Sequence, residues 1–78
     1  MNPERLIGKT LGELAPQTGV FWRPIHVFLL ESESDDTGKR LIDAYSLHQV
    51  IAAHPAAATA TIISAYDYYG DIVIRIRT

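Results

Sequence analysis

The sequence predicts an α+β domain: a four-stranded antiparallel sheet in ββαββ order, with one short helix on a face and short N-terminal helical turns. Three observations lead there. Two stretches, VFWRPIHVFLL at residues 20–30 and IVIRIR at residues 72–77, are dense in β-branched and aromatic residues. A turn signal, DYYGD, separates the last of these from a third run, ATIISAY. Between the two strand pairs lies a capped apolar repeat at helical spacing, stopped by a proline. The 78 residues are expected to form a single domain, with 1–19 as an N-terminal helical segment and 20–78 as the ββαββ core. A chain of that size buries only roughly 60–65% of its unfolded surface, so its margin of stability is narrow.

The N-terminal segment carries two helix-start signals. Asn2 before Pro3 places a capping side chain ahead of a proline at the first helical position, with Gly8 as a stop. Thr10-Leu11-Gly12-Glu13 has the spacing of a capping box, and Pro16 and Gly19 are expected to end that turn. In the next stretch Pro24 cannot donate to a ladder, so regular pairing is expected from Ile25. Both faces of that strand are apolar, which predicts cover on both: the later helix on one, and the N-terminal turns with Phe21 and Trp22 on the other.

Residues 39–45, KRLIDAY, read as the returning strand of the first hairpin. Ser46-Leu47-His48-Gln49 is a second capping box, followed by Val50 and Ile51 at helical spacing and ended by Pro55. The Ala56-Ala57-Ala58 run is expected to let the following strand start close against that helix. In the final hairpin, Asp67 and Gly70 suit a type I turn with glycine in a bulge. That register puts Ile62, Ser64 and Tyr66 on the core face with Ile72, Ile74 and Ile76, and sends Arg75 and Arg77 outward beside Ile63 and Val73.

Composition narrows the function classes. With no cysteine there is no disulfide, no thiolate metal site and no thiol nucleophile, which fits a reducing compartment. No apolar run approaches the length of a membrane span, and MNPERLIGKT lacks the basic start and long apolar centre of a leader, so a cytoplasmic location and no membrane partner are expected. The net charge of −2 gives no overall pull toward nucleic acid. Its distribution is uneven: five of the nine acids fall between Glu31 and Asp43, while Arg75 and Arg77 close the sequence.

The acidic run ESESDDTGKR does not meet the spacing of a calcium loop. Counting from Glu31, Asp36 stands where the loop needs glycine and Ile42 where it needs glutamate, so no metal is expected there. Gly8-Lys9-Thr10 resembles the end of a phosphate-binding loop only by accident, since Pro3 occupies the position of the required earlier glycine. His48 and His54 lie six apart, outside metal-pair spacing, and His26 stands alone in a strand. No catalytic residue, cofactor or enzymatic activity is predicted.

Binding remains. Two surfaces are candidates: Tyr66, Tyr68 and Tyr69 at the final turn with Arg75 and Arg77 on the last strand, and the acidic loop with Glu31, Glu33, Asp35 and Asp36. Tyrosine and arginine combine contact area with a polar tip and dominate binding hot spots, and clustered acids steer a basic partner. The leading expectation is a non-enzymatic protein–protein interaction module, an inhibitor or adaptor whose protein partner is not specified by the sequence. Small acidic α+β domains of this kind are common among such proteins, including phage-encoded, anti-CRISPR-like blockers of host or defence complexes, a class-level analogy alone. The alternative is a single-stranded nucleic-acid binder using Tyr68, Tyr69, Lys39, Arg40, Arg75 and Arg77, disfavoured by the few bases and by Asp67 and Asp71 nearby. A homodimer through an exposed edge strand is a further expectation.

Overall fold

The computed structural model describes residues 3–18 and 20–78, with side chains for all of these except 17, 18 and 20–22. Asn2 as a cap, Gly19 as a stop and Phe21 and Trp22 as cover therefore lie outside the described residues. A 3-10 turn at Pro3–Leu6 leads to helix α1 (Leu11–Thr18). Strands β1 (Val20–Leu29) and β2 (Lys39–Ser46) follow, then helix α2 (Leu47–Ala53) and a second 3-10 turn at Pro55–Thr59. Strands β3 (Thr61–Tyr68) and β4 (Asp71–Arg77) complete the ββαββ order.

The helix starts are set by the caps. Thr10 Oγ1 accepts from the Glu13 amide at 3.2 Å, and Ser46 Oγ accepts from the Gln49 amide at 3.2 Å. Gln49 then reaches back to the Tyr45 amide at 2.7 Å, one residue ahead of where a standard capping box would bond. Pro16 does not end α1, which continues to Thr18 with the proline inside it. Gly12 has a packing role: a Cβ there would stand 2.7 Å from the Ala58 carbonyl oxygen. The alanine run forms the second 3-10 turn that meets it.

The sheet is mixed, not wholly antiparallel. Its order is β2-β1-β4-β3, with β1 and β4 parallel at the centre and an antiparallel hairpin partner outside each. Burial explains the arrangement. Among the described residues β1 and β4 have none exposed and take the positions paired on both sides, while β2 and β3 each present four exposed residues at the edges. Because α2 carries the chain across from β2 to β3, β4 returns alongside β1 in the same direction. Pro24 sits in an irregular stretch between the Val20 and Ile25 pairings, and regular pairing begins at Ile25 as its missing donor requires.

Both N-terminal segments pack on the same face as α2. Leu6, Leu11, Leu14, Leu47 and Val50 share one cluster with Ile25, Val27, Ile72, Ile74 and Ile76, all essentially buried. The expected cover of β1 by the N-terminal turns on its second face is thus corrected: among the described residues one face of the sheet is closed by helices and the other carries none. The N-terminal chain also pairs with the outer edge of β3, where the Ile62 amide donates to the Lys9 carbonyl and the Gly8 amide to the Ile62 carbonyl, each at 2.8 Å. That closes the start of one edge. No helix among the described residues is long and apolar enough to cross a membrane.

The last hairpin differs from its expected register in two ways. An irregularity between the Ile62–Ile76 and Ser64–Arg75 pairs inserts Ile63 as an extra residue. A one-residue slip exchanges the faces, so Ala65 joins the core opposite Ile74, while Ser64 and Tyr66 turn to the open face. The turn is also tighter than a type I turn with a bulge. β3 runs to Tyr68 and β4 resumes at Asp71, leaving a two-residue turn, Tyr69-Gly70, with φ of +50° and +90°. Those are the φ values of a type I′ turn, whose twist matches that of the strands it joins.

Candidate functional site

The open face is built from alternate residues of all four strands. Asp43 comes from β2, His26 and Phe28 from β1, Asp71, Val73 and Arg75 from β4, and Ser64, Tyr66 and Tyr68 from β3. From Asp71 to Arg77 the face runs about 20 Å, at roughly 3.3 Å per strand residue. The parallel pairing of β1 with β4 puts the acidic loop at one end and the Tyr69-Gly70 turn at the other. The candidate residues therefore divide differently from the way the sequence grouped them. Tyr68 and Tyr69 occupy the turn end, Tyr66 and Arg75 the middle, and Arg77 lies with Glu31, Glu33, Asp35 and Asp36 at the loop end.

At the loop end the carboxylates sit on a folded scaffold. Asp35 accepts backbone hydrogen bonds from Glu31 at 3.1 Å, Thr37 at 3.2 Å and Gly38 at 2.9 Å. These bonds, the one from Gly38 foremost, favour the ionised form and hold the Asp35 carboxyl below its ordinary range. Gly38, at φ +83°, lies against β1; a Cβ would come within 3.0 Å of Phe28 and 3.2 Å of the Leu29 carbonyl. Both arginines of β4 reach the loop through its backbone. Arg75 Nε donates to the Thr37 carbonyl at 2.9 Å and Arg77 Nη2 to the Ser32 carbonyl at 3.3 Å. Among the described residues no three His, Asp or Glu side chains are grouped to hold a metal ion.

In the middle, the Arg75 guanidinium lies between two rings, 5.4 Å from the Phe28 centroid and 5.5 Å from that of Tyr66. It also donates to the Tyr66 hydroxyl at 3.0 Å. Beside this stack is a constellation that sequence reasoning missed. His26 contacts Asp43 Oδ1 through Nδ1 at 2.9 Å and Asp71 Oδ2 through Nε2 at 2.8 Å. Arg40 closes on the second oxygen of Asp43. The bond to Asp71, then the bond to Asp43, raises the His26 pKa above its usual value. Asp43 is lowered by His26 first and Arg40 second. One signal was present in the sequence: a histidine between Ile25 and Val27, in a strand otherwise apolar on both faces, needs polar partners.

Because both ring nitrogens meet carboxylates, the imidazole offers no lone pair to a substrate proton or a metal. An apolar cleft of about 150 Å³, lined by residues that include Leu29, Leu41, His54, Ala57 and Ile76, opens on the helical side of the sheet, away from His26. Ser46 is engaged as a cap, and His48 is exposed on α2.

The turn end is the most exposed aromatic surface among the described residues. Tyr69 is 93% exposed and Tyr68 56%, with ring centroids 4.7 Å apart and planes at 85°. The edge-to-face contact gives the two rings a defined mutual orientation. The flanks of the turn are held by ionic contacts, Arg23 to Asp67 at 2.5 Å on one side and His26 to Asp71 on the other. Asp67 is lowered in pKa chiefly by its bond from Arg23.

Compared with protein-family models, curated proteins and solved structures, the chain matches none of them.

Proposed function

We propose that the protein is a non-enzymatic interaction module that binds a protein partner through the Tyr68–Tyr69 end of its open face. One observation carries this reading. Tyr69 adopts φ +50°, a left-handed conformation that costs a bulky side chain about 1–2 kcal/mol, and it is 93% exposed. Asparagine or glycine would serve the turn better. A tyrosine here therefore opposes local stability and gains almost nothing from burial in the free protein. A partner surface that covers the ring supplies the missing stabilisation, and tyrosine is among the residues that dominate such contacts.

The arrangement of charge favours protein over nucleic acid as that partner. Arg75 and Arg77 are engaged by loop carbonyls and Arg40 by Asp43, and the carboxylates of Asp67 and Asp71 flank the tyrosines. A phosphate backbone approaching the tyrosines would meet those acids first.

The test uses the whole chain as bait in its native source, followed by titration of the captured protein against variants. Tyr69→Asn relieves the backbone and removes the ring. It is expected to weaken binding about thirtyfold or more, equivalent to about 2 kcal/mol, while raising stability. Equal affinity for wild type, Tyr69→Asn and Tyr68→Ala would overturn the assignment of the turn. A captured nucleic acid whose affinity falls steeply with salt would overturn the partner class.

A further inference from the structure

We infer that His26 is a proton-dependent clamp on the Tyr68–Tyr69 hairpin, holding the turn in its exposed geometry only while the imidazole carries hydrogen on both nitrogens. The inference rests on the reading of that turn as the binding edge and adds its regulation.

The geometry requires the cation. An ionised carboxylate only accepts hydrogen bonds, so contacts of 2.9 and 2.8 Å on opposite ring nitrogens need two N–H donors. Neutral imidazole has one. Loss of the proton turns one contact into a lone pair facing a carboxylate, and it removes the positive charge between two negative groups.

The two carboxylates do not respond alike. Asp43 lies within β2 and keeps Arg40 when His26 becomes neutral. Asp71 is the first residue of β4, directly after Gly70 and opposite Tyr68 in the ladder, and its ion pair is with His26. Asp71 is thus the point where the charge of His26 reaches the turn. The opposite flank has a different anchor, Arg23 on Asp67, and histidine, not arginine, is the side chain type that switches charge near neutrality. One post of the hairpin is permanent and the other is conditional. Between them sits Tyr69, in a conformation it adopts only while its surroundings hold it there.

Among the described residues, the charged and titratable groups around the ring are few. β2 presents Asp43 and Arg40, β4 presents Asp71, β3 presents Tyr66 beyond Val73, and Arg23 of β1 itself is engaged by Asp67. His26 is the group in this set that titrates near neutrality. Its bonds to Asp71 and Asp43 raise its pKa, so the clamp is complete below the unfolded value near 6.5 and is lost as pH rises through the folded value.

The experiment is an NMR titration of the full chain from pH about 5.5 to 9, following the His26 ring together with the amides of Tyr69, Gly70 and Asp71. The ring and the turn amides are expected to move with one midpoint, above that of a free histidine. In Asp71→Asn the turn amides should cease to follow His26, whose midpoint should fall. In His26→Gln they should be independent of pH over the same range. Turn amides that stay still while His26 titrates, or that keep titrating in both variants, would overturn the clamp. With a captured partner in hand, affinity should fall severalfold between pH about 6 and 8 for wild type and stay level for His26→Gln. These outcomes separate from those of the binding assignment: coupled NMR midpoints with tyrosine variants that bind normally would sink the binding edge and leave the clamp standing.

Discussion

At one end of the open face, the loop carrying Glu31, Glu33, Asp35 and Asp36 is tied down from several sides. Asp35 gathers three of its amides, two arginines hold its carbonyls, and Gly38 lies flat on β1. At the other end a two-residue turn carries two exposed tyrosines on a left-handed backbone, held through its flanks. The acidic loop is bonded to itself and to β4 through its backbone and is built for the fold, whereas the turn retains strain and uncovered apolar surface. Charge density alone would have pointed to the loop. Unmet physical demand points to the turn.

The largest effect should come from the closed face that both ends share. Ile74 is fully buried, so Ile74→Ala is expected to cost about 2–5 kcal/mol in urea unfolding. A loss under about 1 kcal/mol would mean that the central strand pair is not packed as described. Gly38→Ala comes next. A methyl group at φ +83°, crowded by Phe28 and Leu29, is expected to cost about 1–3 kcal/mol. Exchange protection should be lost mainly over residues 31–38. If the substitution is neutral, the loop is not pinned and the contrast between the ends fails.

Arg75→Ala removes a ring stack and the bond to Thr37, and about 1 kcal/mol is expected. Tyr69→Asn should shift stability the other way, by a few tenths to about 1 kcal/mol, read as a higher unfolding midpoint. A destabilised Tyr69→Asn would mean that the ring supports the fold, removing the main argument for the turn. The smallest effect is local. Because the Asp35 pKa is depressed, the loop bonds it makes persist above the ordinary carboxylate value and are lost as pH falls through the lowered one. Amide signals of Glu31, Thr37 and Gly38 should move together in strong acid, and Asp35→Asn should abolish that transition.

The sequence made the elements legible and left their assembly open. The alternation of Ile72, Ile74 and Ile76 identified the buried face of β4, and Ser46 and Thr10 marked helix starts, because these signals lie within a few residues of one another. The parallel pairing of β1 with β4 was not legible, since two hairpins with a helix between them fit several strand orders. The extra residue at Ile63 left no signature in ATIISAY, and it decided that Tyr66 would stand beside Arg75. The site around His26 was hidden for the same reason. Asp43 and Asp71 lie 17 and 45 residues away in sequence, and strand order alone brings them to one ring.

That strand order has a kinetic consequence. Each hairpin can zip locally within microseconds, yet the sheet is incomplete until β1 meets β4, whose paired residues are separated by most of the chain. Before that closure each hairpin presents the strand destined for the centre of the sheet as a bare edge, with amides and carbonyls unpaired. Two such edges on different molecules match as well as two on one, so crowding during refolding favours exchange of hairpins between copies. The pairing that protects the finished protein is the one that leaves its half-built form most open to its neighbours.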